Sequence, residues 1–411
     1  MEDKHLGIYI HIPFCASKCS YCDFYSMAGR DRHMPAYQEA LLGHIEEAAG
    51  VMAPYYIDTV YFGGGTPSYY GSRRLVEIFD TIKRAGKVLK KAEVTVECNP
   101  DSVTYRDMTH LLDEGVNRIS LGVQSARDDL LKIIGRRHNF AQAEQAVKTI
   151  RSAGFKNLSV DVIYGLPTQS RNDWADTLGR VIDLEPDHIS CYGLKLEKGT
   201  PMYHKYAGSG VLPDDDEQAD MYLFAVQMLQ QNGFSQYEIS NFARRGKESR
   251  HNLKYWTLQD YLGFGPGAHS SIGSTRYSYV RSMNAYITGL DGGNDILDEY
   301  EELSPLDRSA EYIMLGLRCA RGISEAEYTN IYRCDFTPME KLLREFEGHG
   351  WASFRGGRWS FTSSGYLLSN TLIGALLEAQ ATCRITGNPW MEGSFAMDET
   401  KIVLPMGGDV Y

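Results

Sequence analysis

The sequence predicts an α/β protein: a partial barrel of six strand–helix units, followed by a smaller, mainly helical C-terminal domain. Short apolar runs alternate six times with longer helix-like segments through the first half of the chain, a pattern typical of a parallel sheet covered by helices. Polar and glycine-rich residues follow most of the apolar runs, as they do where barrel strands present functional groups at their carboxyl ends. Six units are too few for a closed eight-stranded barrel, so we expect an open, three-quarter barrel.

The six predicted strands are short and rich in β-branched residues, and a helix-like segment follows each. The strands are predicted at residues 7–13, 57–62, 93–97, 117–123, 157–163 and 188–194. The helices are predicted at residues 35–49, 72–84, 105–113, 141–152, 171–183 and 216–231. Several helix–strand junctions carry a glycine where a helix C-cap is expected, namely Gly86, Gly115, Gly154 and Gly233.

The alternation ends near residue 235, which divides the chain into four predicted parts. Residues 1–235 form the barrel core, and residues 236–300 form a connecting segment rich in Tyr, Gly and Ser. Residues 301–383 are predicted to be a small helical domain that contains one hairpin near residues 351–361. Residues 384–411 have no clear period, and we expect this tail to be partly disordered.

Composition and charge exclude several classes of protein. The 411 residues include 42 basic and 53 acidic side chains, a net charge of −11, which argues against a nucleic-acid partner. No apolar run reaches the roughly 18 residues of a membrane span, and no signal peptide is recognisable. We therefore expect a cytoplasmic protein. Eight cysteines are too few for a disulfide scaffold in a chain of this length.

Three of the cysteines lie close together, directly after the first predicted strand. Cys15, Cys19 and Cys22 have the spacing Cys-x3-Cys-x2-Cys. Iron–sulfur cubanes usually take four cysteines, so three thiolates would leave one iron open to a small-molecule ligand. The alternative is a zinc site completed by His11 or His33, but the second cysteine pair typical of zinc sites does not follow at close range. The spacing favours the cluster.

The ends of the next strands also carry distinctive residues. Gly63-Gly64-Gly65-Thr66-Pro67 follows the second strand, where glycines either make a tight turn or let a ligand approach the backbone. Glu97 ends the third strand and Gln124 ends the fourth. Asp161 interrupts the apolar run of the fifth strand, and an unpaired buried carboxylate is costly. Because these strand ends share one rim of the barrel, we predict a binding site there.

The cysteine spacing within an array of strand–helix units resembles the radical S-adenosylmethionine (SAM) superfamily. This resemblance implies that the three thiolates hold a 4Fe–4S cluster and that SAM chelates the open iron. It also implies that the glycine-rich strand end meets the amino group of SAM. In such proteins the cofactors supply the radical, and the protein places the substrate and excludes water.

From about residue 7 to residue 365 the chain is similar to one branch of that superfamily, the oxygen-independent coproporphyrinogen III oxidases (HemN) and their relatives. On this resemblance, Arg136 would pair with a carboxylate, and Glu97 and Asp161 would accept hydrogen bonds from the ribose or the ammonium group. Gln124 and Arg136 could instead be ordinary surface residues. The full set of implied SAM-binding residues is Tyr9, Tyr21, Gly64, Gly65, Thr66, Glu97, Gln124, Arg136 and Asp161.

Three features depart from the oxidases and resemble the HemW family of haem chaperones. Phe24 stands where the oxidases have a further cysteine, and the longer N-terminal segment of the oxidases is not seen before Cys15. The run from His251 to Trp256 matches a His-Asn-x-x-Tyr-Trp motif of that family. The resemblance implies haem binding, with His251 as the iron ligand and the aromatic residues against the porphyrin, unless His251 is simply a packed histidine. The implied haem-binding residues are His251, Asn252, Tyr255 and Trp256.

The resulting hypothesis is a haem chaperone that binds a SAM-ligated 4Fe–4S cluster and passes haem to client haem proteins, such as respiratory proteins at a membrane. A homodimer is compatible with it. Three alternatives stay open: a coproporphyrinogen III oxidase, a radical methyltransferase that breaks down haem anaerobically, and a protein whose cluster is only structural. We do not expect the oxidase activity, and the sequence does not decide whether SAM is cleaved.

Overall fold

Six parallel strands lie side by side in chain order at the centre of a twelve-stranded sheet. The structure is a computed structural model that describes residues 4–381. Every pairing between consecutive members of the six is parallel, which confirms the predicted open α/β barrel. The six strands are β1 (His5–Ile12), β2 (Tyr56–Gly64), β3 (Lys87–Cys98), β4 (Arg118–Gln124), β5 (Leu158–Tyr164) and β6 (His188–Gly193).

A long helix follows each of the six strands, as the sequence predicts. The helices are α1 (Met34–Glu47), α2 (Ser72–Ala85), α3 (Tyr105–Asp113), α4 (Phe140–Ala153), α5 (Arg171–Ile182) and α6 (Asp215–Gln231). Shorter helical turns lie at Asp31–His33, Ala49–Met52, Pro67–Tyr70, Pro100–Ser102, Asp128–Ile133 and Pro201–Tyr206. Asn139 and Ser170 cap α4 and α5 by accepting the N3 backbone N–H, because the first helical N–H groups have no partner within the helix.

The connecting segment adds strands to both edges of the sheet, which the sequence analysis did not predict. Beyond β6 the sheet continues with two short antiparallel strands, and on the other side a parallel strand pairs with β1 and three antiparallel strands follow it. These strands are β7 (Ser235–Gln236), β8 (Asn241–Ala243), β9 (Tyr261–Phe264), β10 (His269–Ile272), β11 (Thr275–Tyr279) and β12 (Leu297–Glu302). The segment also contains the helices α7 (Arg250–Trp256) and α8 (Met283–Gly292).

The two faces of the parallel strands have different chemistry. One face of each strand packs into the main apolar core, for example through the fully buried Ile8, Val60 and Leu121. Because successive side chains of a strand point to opposite faces, the residues between them face the barrel interior. Many of the interior residues are polar, among them Thr59 and Ser120. The interior is therefore suited to binding a polar ligand, while the helices bury the apolar face.

The C-terminal part of the described chain has a second apolar core. It contains the helices α9 (Pro305–Gly316), α10 (Glu325–Tyr332), α11 (Thr337–Gly348) and α12 (Ser369–Ala381), with a short helix at Ser363–Leu367. Strands β13 (Ala352–Arg355) and β14 (Arg358–Phe361) form the predicted hairpin. Buried residues such as Tyr328 and Trp359 make up this core, which Tyr222 of α6 joins.

Two further points concern the limits of the described chain. The predicted tail, 384–411, lies outside the described residues. Within residues 4–381, we find no helix that combines the length and the apolar composition needed to span a bilayer.

Candidate cofactor-binding site

A cavity of about 350 Å³ lies inside the barrel, among the carboxyl halves of the strands and the loop that follows β1. Its lining contains residues from β2 to β6, from the cysteine loop and from α7. It brings together most of the residues predicted from the sequence: Cys15, Cys19, Tyr21, Cys22, Gly64, Gly65, Thr66, Glu97, Gln124, Arg136, Asp161 and Asn252. The predicted residues Tyr9, His251, Tyr255 and Trp256 are not part of this lining.

The three thiols of the cysteine loop all face the cavity, each beside a different neighbour. A short parallel pairing of Phe14–Cys15 with Met27–Ala28 closes the base of the loop. The sulfur contacts are Thr66 Oγ1 to Cys15 Sγ at 3.5 Å, Arg136 Nη1 to Cys19 Sγ at 3.6 Å, and Ser26 Oγ to Cys22 Sγ at 3.9 Å. The barrel wall therefore holds the loop in place from two sides, through Thr66 and Arg136.

The arrangement of the thiols bears on the kind of metal centre they could hold. Within the described range 4–381, no three His, Cys, Asp or Glu side chains are grouped so that they could hold one metal ion. In a cubane the cysteine thiolates bind different irons, so the sulfur atoms need not converge on one point. Burial raises the pKa of the Cys15 and Cys22 thiols, so metal binding would release protons there.

The glycine-rich end of β2 lies directly under the cysteine loop. A Cβ atom at Gly65 would come within 2.8 Å of the carbonyl oxygens of Ile12 and Phe14, and one at Gly64 would come within 2.6 Å of the His11 ring. Gly65 N–H donates to the Ile12 carbonyl at 2.7 Å. The sequence left open whether these glycines make a tight turn or admit a ligand, and in the structure they let the cysteine loop approach the sheet. Both still line the cavity.

Two half-buried carboxylates face the cavity from β3 and β5. Glu97 accepts a hydrogen bond from Tyr61 Oη at 2.7 Å and from Gly64 N at 3.2 Å. Asp161 accepts from Ser120 Oγ at 3.2 Å. Burial raises the pKa of both groups, that of Glu97 to about 7. These carboxylates can accept hydrogen bonds from ligand hydroxyl or ammonium groups, as the resemblance implied.

Arg136 is held between the cysteine loop and the sheet. Its Nη2 donates to Asn99 Oδ1 at 2.7 Å and to the Gly122 carbonyl at 2.5 Å, while its buried Nε has no hydrogen-bond partner among the residues that the structure describes. Gln124, at a bulge of β4, has a φ of 69°, a conformation that costs a non-glycine residue free energy and often occurs at functional sites. Gln124 and Arg136 are therefore not ordinary surface residues, which was the alternative that the sequence left open.

Four of the polar lining residues that the sequence did not predict interact with predicted ones. Asn99 donates to Thr66 Oγ1 at 3.1 Å, besides accepting from Arg136. The Tyr61 hydroxyl donates a hydrogen bond to Glu97, and the Ser120 hydroxyl donates one to Asp161. The fourth is Arg118, a charged residue at the start of an apolar strand. The signal that identified Asp161, a charge inside an apolar run, could have identified Arg118 as well.

Helix α7 fills the barrel interior at the amino ends of β1 to β3. The Glu93 carboxylate accepts hydrogen bonds from the backbone N–H groups of Arg250 and His251, at 3.1 and 3.0 Å, and so satisfies the first turn of the helix. Lys254, with 2% of its surface exposed, pairs with Asp58 at 2.8 Å. Only Asn252 of the predicted haem motif reaches the cavity.

His251 is completely buried in this helix, with 0% of its surface exposed. Its Nδ1 is 2.8 Å from Thr59 Oγ1 and its Nε2 is 2.7 Å from Tyr255 Oη. Its ring stacks on that of Tyr61, with centroids 5.2 Å apart. Burial lowers the pKa of His251 to about 3, so the ring is neutral. Both ring nitrogens are engaged in this conformation, and iron ligation by His251 stays a prediction that would require α7 to open.

Tyr9 and Trp256 also lie apart from the cavity lining. Tyr9 Oη is 3.0 Å from His11 Nδ1, and the Tyr9 ring stacks on Tyr61 with centroids 6.2 Å apart. Tyr9 therefore supports the wall behind Tyr61. Trp256 ends α7 and is partly buried. Their predicted ligand contacts stay predictions.

Comparison with known proteins places this site in a family. Residues 9–181 match the radical SAM superfamily, and residues 303–368 match the HemN C-terminal domain. The chain is 33% identical to the Heme chaperone HemW of Bacillus subtilis over 90% of this chain and 98% of that protein. The chain belongs to the HemW family. Membership is supported by HemW proteins of Lactococcus lactis, at 35% identity over 84% of this chain and 89% of the relative, and Escherichia coli, at 32% over 90% and 97%.

A solved structure confirms the fold of this HemW family member. Coproporphyrinogen III oxidase (HemN) from Escherichia coli, a radical SAM enzyme, superposes with a TM-score of 0.81. The match covers 91% of this chain and 90% of the oxidase at 24% sequence identity. At that level of identity the likeness establishes the shared architecture of barrel and C-terminal region, and the activity has to be argued from the site.

Proposed function

We propose that the protein is a haem chaperone that binds a SAM-ligated 4Fe–4S cluster in the barrel cavity and transfers haem to client haem proteins. The observation that carries this proposal is the similarity to HemW proteins along nearly the whole chain. The sequence identity to the Bacillus subtilis protein is 33%, over 98% of that protein's length. The described cavity supports it, because the three thiols and the polar residues of the rim face the same space.

The residues present fit a cluster with a bound SAM. Cys15, Cys19 and Cys22 would hold three irons, and the open iron would take the amino and carboxylate groups of SAM. When bound and reduced by a one-electron donor, the cluster would supply the electron that breaks a C–S bond of the SAM sulfonium. The protein's own part is to position it: Glu97 and Asp161 offer acceptors inside the cavity. The remaining proposed contacts are Tyr9, Tyr21, Gly64, Gly65, Thr66, Gln124 and Arg136.

Exposed aromatic residues at the mouth of the cavity suit haem, which is flat and largely apolar. Phe24, in the cysteine loop, has 68% of its surface exposed, and Tyr192, at the end of β6, has 41%. Both line the cavity. Large apolar residues left in solvent beside a site often mark a ligand or partner surface. We propose that the porphyrin ring rests on these residues, with His251, Asn252, Tyr255 and Trp256 as further haem contacts if α7 opens.

Anaerobic reconstitution with iron and sulfide tests the cluster. The wild type should bind about four irons per chain and gain visible absorbance, whereas Cys19→Ser should gain neither. Cys98→Ser is the matched control, since Cys98 is a buried cysteine that lines the same cavity outside the triad. A Cys19→Ser protein that retains the full cluster would contradict the assignment of its ligands.

The chaperone activity is tested by loading the reconstituted protein with haem and mixing it with an apo-haem protein, such as a respiratory cytochrome domain. We expect the client's absorption band to appear at a rate that rises with the concentration of the loaded protein. Haem loaded on serum albumin is the control for passive release. Equal rates from both carriers would contradict the chaperone function.

Light scattering on the same samples distinguishes a monomer from the proposed homodimer.

A further inference from the structure

Arg118 is a buried cation that faces the cavity without a partner of its own. It lies at the start of β4, has 2% of its surface exposed and lines the cavity. Within the part of the chain that the structure describes, residues 4–381, the Arg118 side chain forms no hydrogen bond, and no carboxylate oxygen lies within 4 Å of it. Its Nε is buried and unpaired. A buried charge in this state is costly unless another group compensates it.

Two other cations of the barrel interior, the half-buried Arg136 and the buried Lys254, have partners for their charge. Arg136 has three acceptors in Asn99, Gly122 and Cys19, and Lys254 pairs with Asp58. The unpaired state of Arg118 is therefore not a general feature of the interior.

The carboxylates nearest to Arg118 are already engaged. The positive charge of Arg118 lowers the pKa values of Glu97 and Asp161. Burial raises the same pKa values and has the larger effect. The oxygens of Glu97 accept from Tyr61 and Gly64, and those of Asp161 accept from Ser120. Neither carboxylate forms an ion pair with Arg118. The guanidinium is thus near negative charge but keeps its donors directed to the cavity.

We propose that Arg118 anchors a carboxylate of a ligand that enters the barrel. A guanidinium is a planar fork whose parallel N–H groups match the two oxygens of a carboxylate. The neighbouring Glu97 and Asp161 favour a monoanion over a phosphate dianion, because like charges repel. This inference rests on the proposed function for the identity of the ligand, which offers two sources of the same group: a propionate of haem, or the carboxylate of a SAM molecule.

Binding measurements on the reconstituted protein test this inference and separate the two sources. Haem, haem dimethyl ester and SAM are titrated into the wild type, Arg118→Met and Arg118→Lys. If the group is a propionate, the ester should bind the wild type about ten- to a hundredfold more weakly than haem, the usual range for a charge-assisted pair. Arg118→Met should bind haem and its ester equally weakly, and Arg118→Lys should fall between.

Arg84→Met is the matched control. Arg84 lies on α2, is not part of the cavity lining, and its side chain is 62% exposed and lies 3.6 Å from Glu46. The substitution removes the same guanidinium charge from the protein and should leave the three affinities unchanged.

The possible outcomes of these titrations either support or overturn the role of Arg118 as a carboxylate anchor. Loss of SAM affinity in Arg118→Met with haem affinity unchanged supports the anchor and identifies the SAM carboxylate as its ligand. Equal affinities of wild type and Arg118→Met for both haem and SAM overturn the inference. If the wild type binds no haem, the proposed function fails, and the SAM titration alone decides the role of Arg118. Unfolding temperatures of the variants are compared first, and the ester comparison on the wild type needs no variant.

Discussion

Gly64 is subject to two constraints at a single residue. Its φ of 108° is unfavourable for residues with a Cβ, and a Cβ there would meet the His11 ring at 2.6 Å. Gly71, which follows the helical turn Pro67–Tyr70, has a similar φ of 101°, but no described atom lies within 4 Å of a Cβ placed there. The two glycines therefore allow the cost of backbone strain to be separated from the cost of crowding.

We predict that Gly64→Ala is more destabilising than Gly71→Ala. Both substitutions should lose about 1–3 kcal/mol of unfolding free energy through backbone strain, and Gly64→Ala should lose roughly 1–3 kcal/mol more through overpacking. Urea unfolding of the three proteins measures both values. Equal losses would mean that His11 moves aside freely.

Glu238 is a fully buried carboxyl group that lies away from the cavity lining. It accepts hydrogen bonds from the backbone N–H of Ser240 at 2.9 Å and from the side chain of Asn241. Burial raises its pKa from 4.5 to about 7. Between these two pH values the folded protein keeps a proton that the unfolded chain has released, so the stability that this group contributes falls as pH rises.

We predict that Glu238→Gln removes this part of the pH dependence. Near pH 5–7, the unfolding free energy of the wild type should fall relative to that of the variant by up to about 1.4 kcal/mol per pH unit. Denaturant unfolding at several pH values measures the difference between the two proteins, in which other titrating groups cancel. Parallel curves over this range would show that Glu238 is ionised in the folded state.

At the scale of elements, α7 shows the limit of reading a motif. The run His251–Trp256 matched a haem motif, yet the structure uses His251 to close the barrel interior through Thr59 and Tyr255. Tyr255 lies one turn further along the same helix, but Thr59 lies on β2, far away in the sequence. Only the folded chain brings Thr59 to His251. The alternative of a packed histidine, which the sequence left open, describes the conformation seen.

We predict that His251→Ala destabilises the protein by about 2–5 kcal/mol, because it leaves a cavity and two hydroxyl groups without their partner. His204→Ala, at an exposed histidine, should have little effect. Unfolding experiments measure the stability, and a haem titration of the same variants measures the ligand role. A stable His251→Ala protein that loses its haem absorption band would favour ligation over packing.

The sequence predicted the elements of the barrel well where the pattern was strong. All six parallel strands and their helices lie within a few residues of their predicted positions, apart from the start of β3. The strands of the connecting segment were missed, because β9 and β10 are four residues each and contain Gly, Ser and His in place of an apolar run. The sequence marks Arg118 as a charge at the start of an apolar strand, but the lack of a partner for its side chain depends on what surrounds it in three dimensions.

At the scale of the whole molecule, the cavity couples distant parts of the chain. Its lining extends from Cys15 to Asn252, so a ligand bound there contacts elements that would separate on unfolding. A ligand that binds only the folded state stabilises it by mass action, by about 2.7 kcal/mol at one hundred times its dissociation constant.

We therefore predict that SAM raises the unfolding temperature of the cluster-loaded protein in a concentration-dependent way. Cys19→Ser, which should lack the cluster, should show a much smaller shift at the same concentrations. Anaerobic thermal unfolding with increasing SAM measures both. An equal shift in the two proteins would mean that SAM binds without the cluster.

The position of β1 in the sheet has a consequence for how the protein is made. Gly7 of β1 pairs with Thr59 on one side and with Tyr261 on the other. On the ribosome, the second edge of β1 therefore stays unpaired until β9 has been synthesised, and unpaired edges invite aggregation. Helix α7 emerges only shortly before β9. The thiol loop is thus translated well before β9, the strand that pairs with the second edge of β1 and completes this part of the barrel.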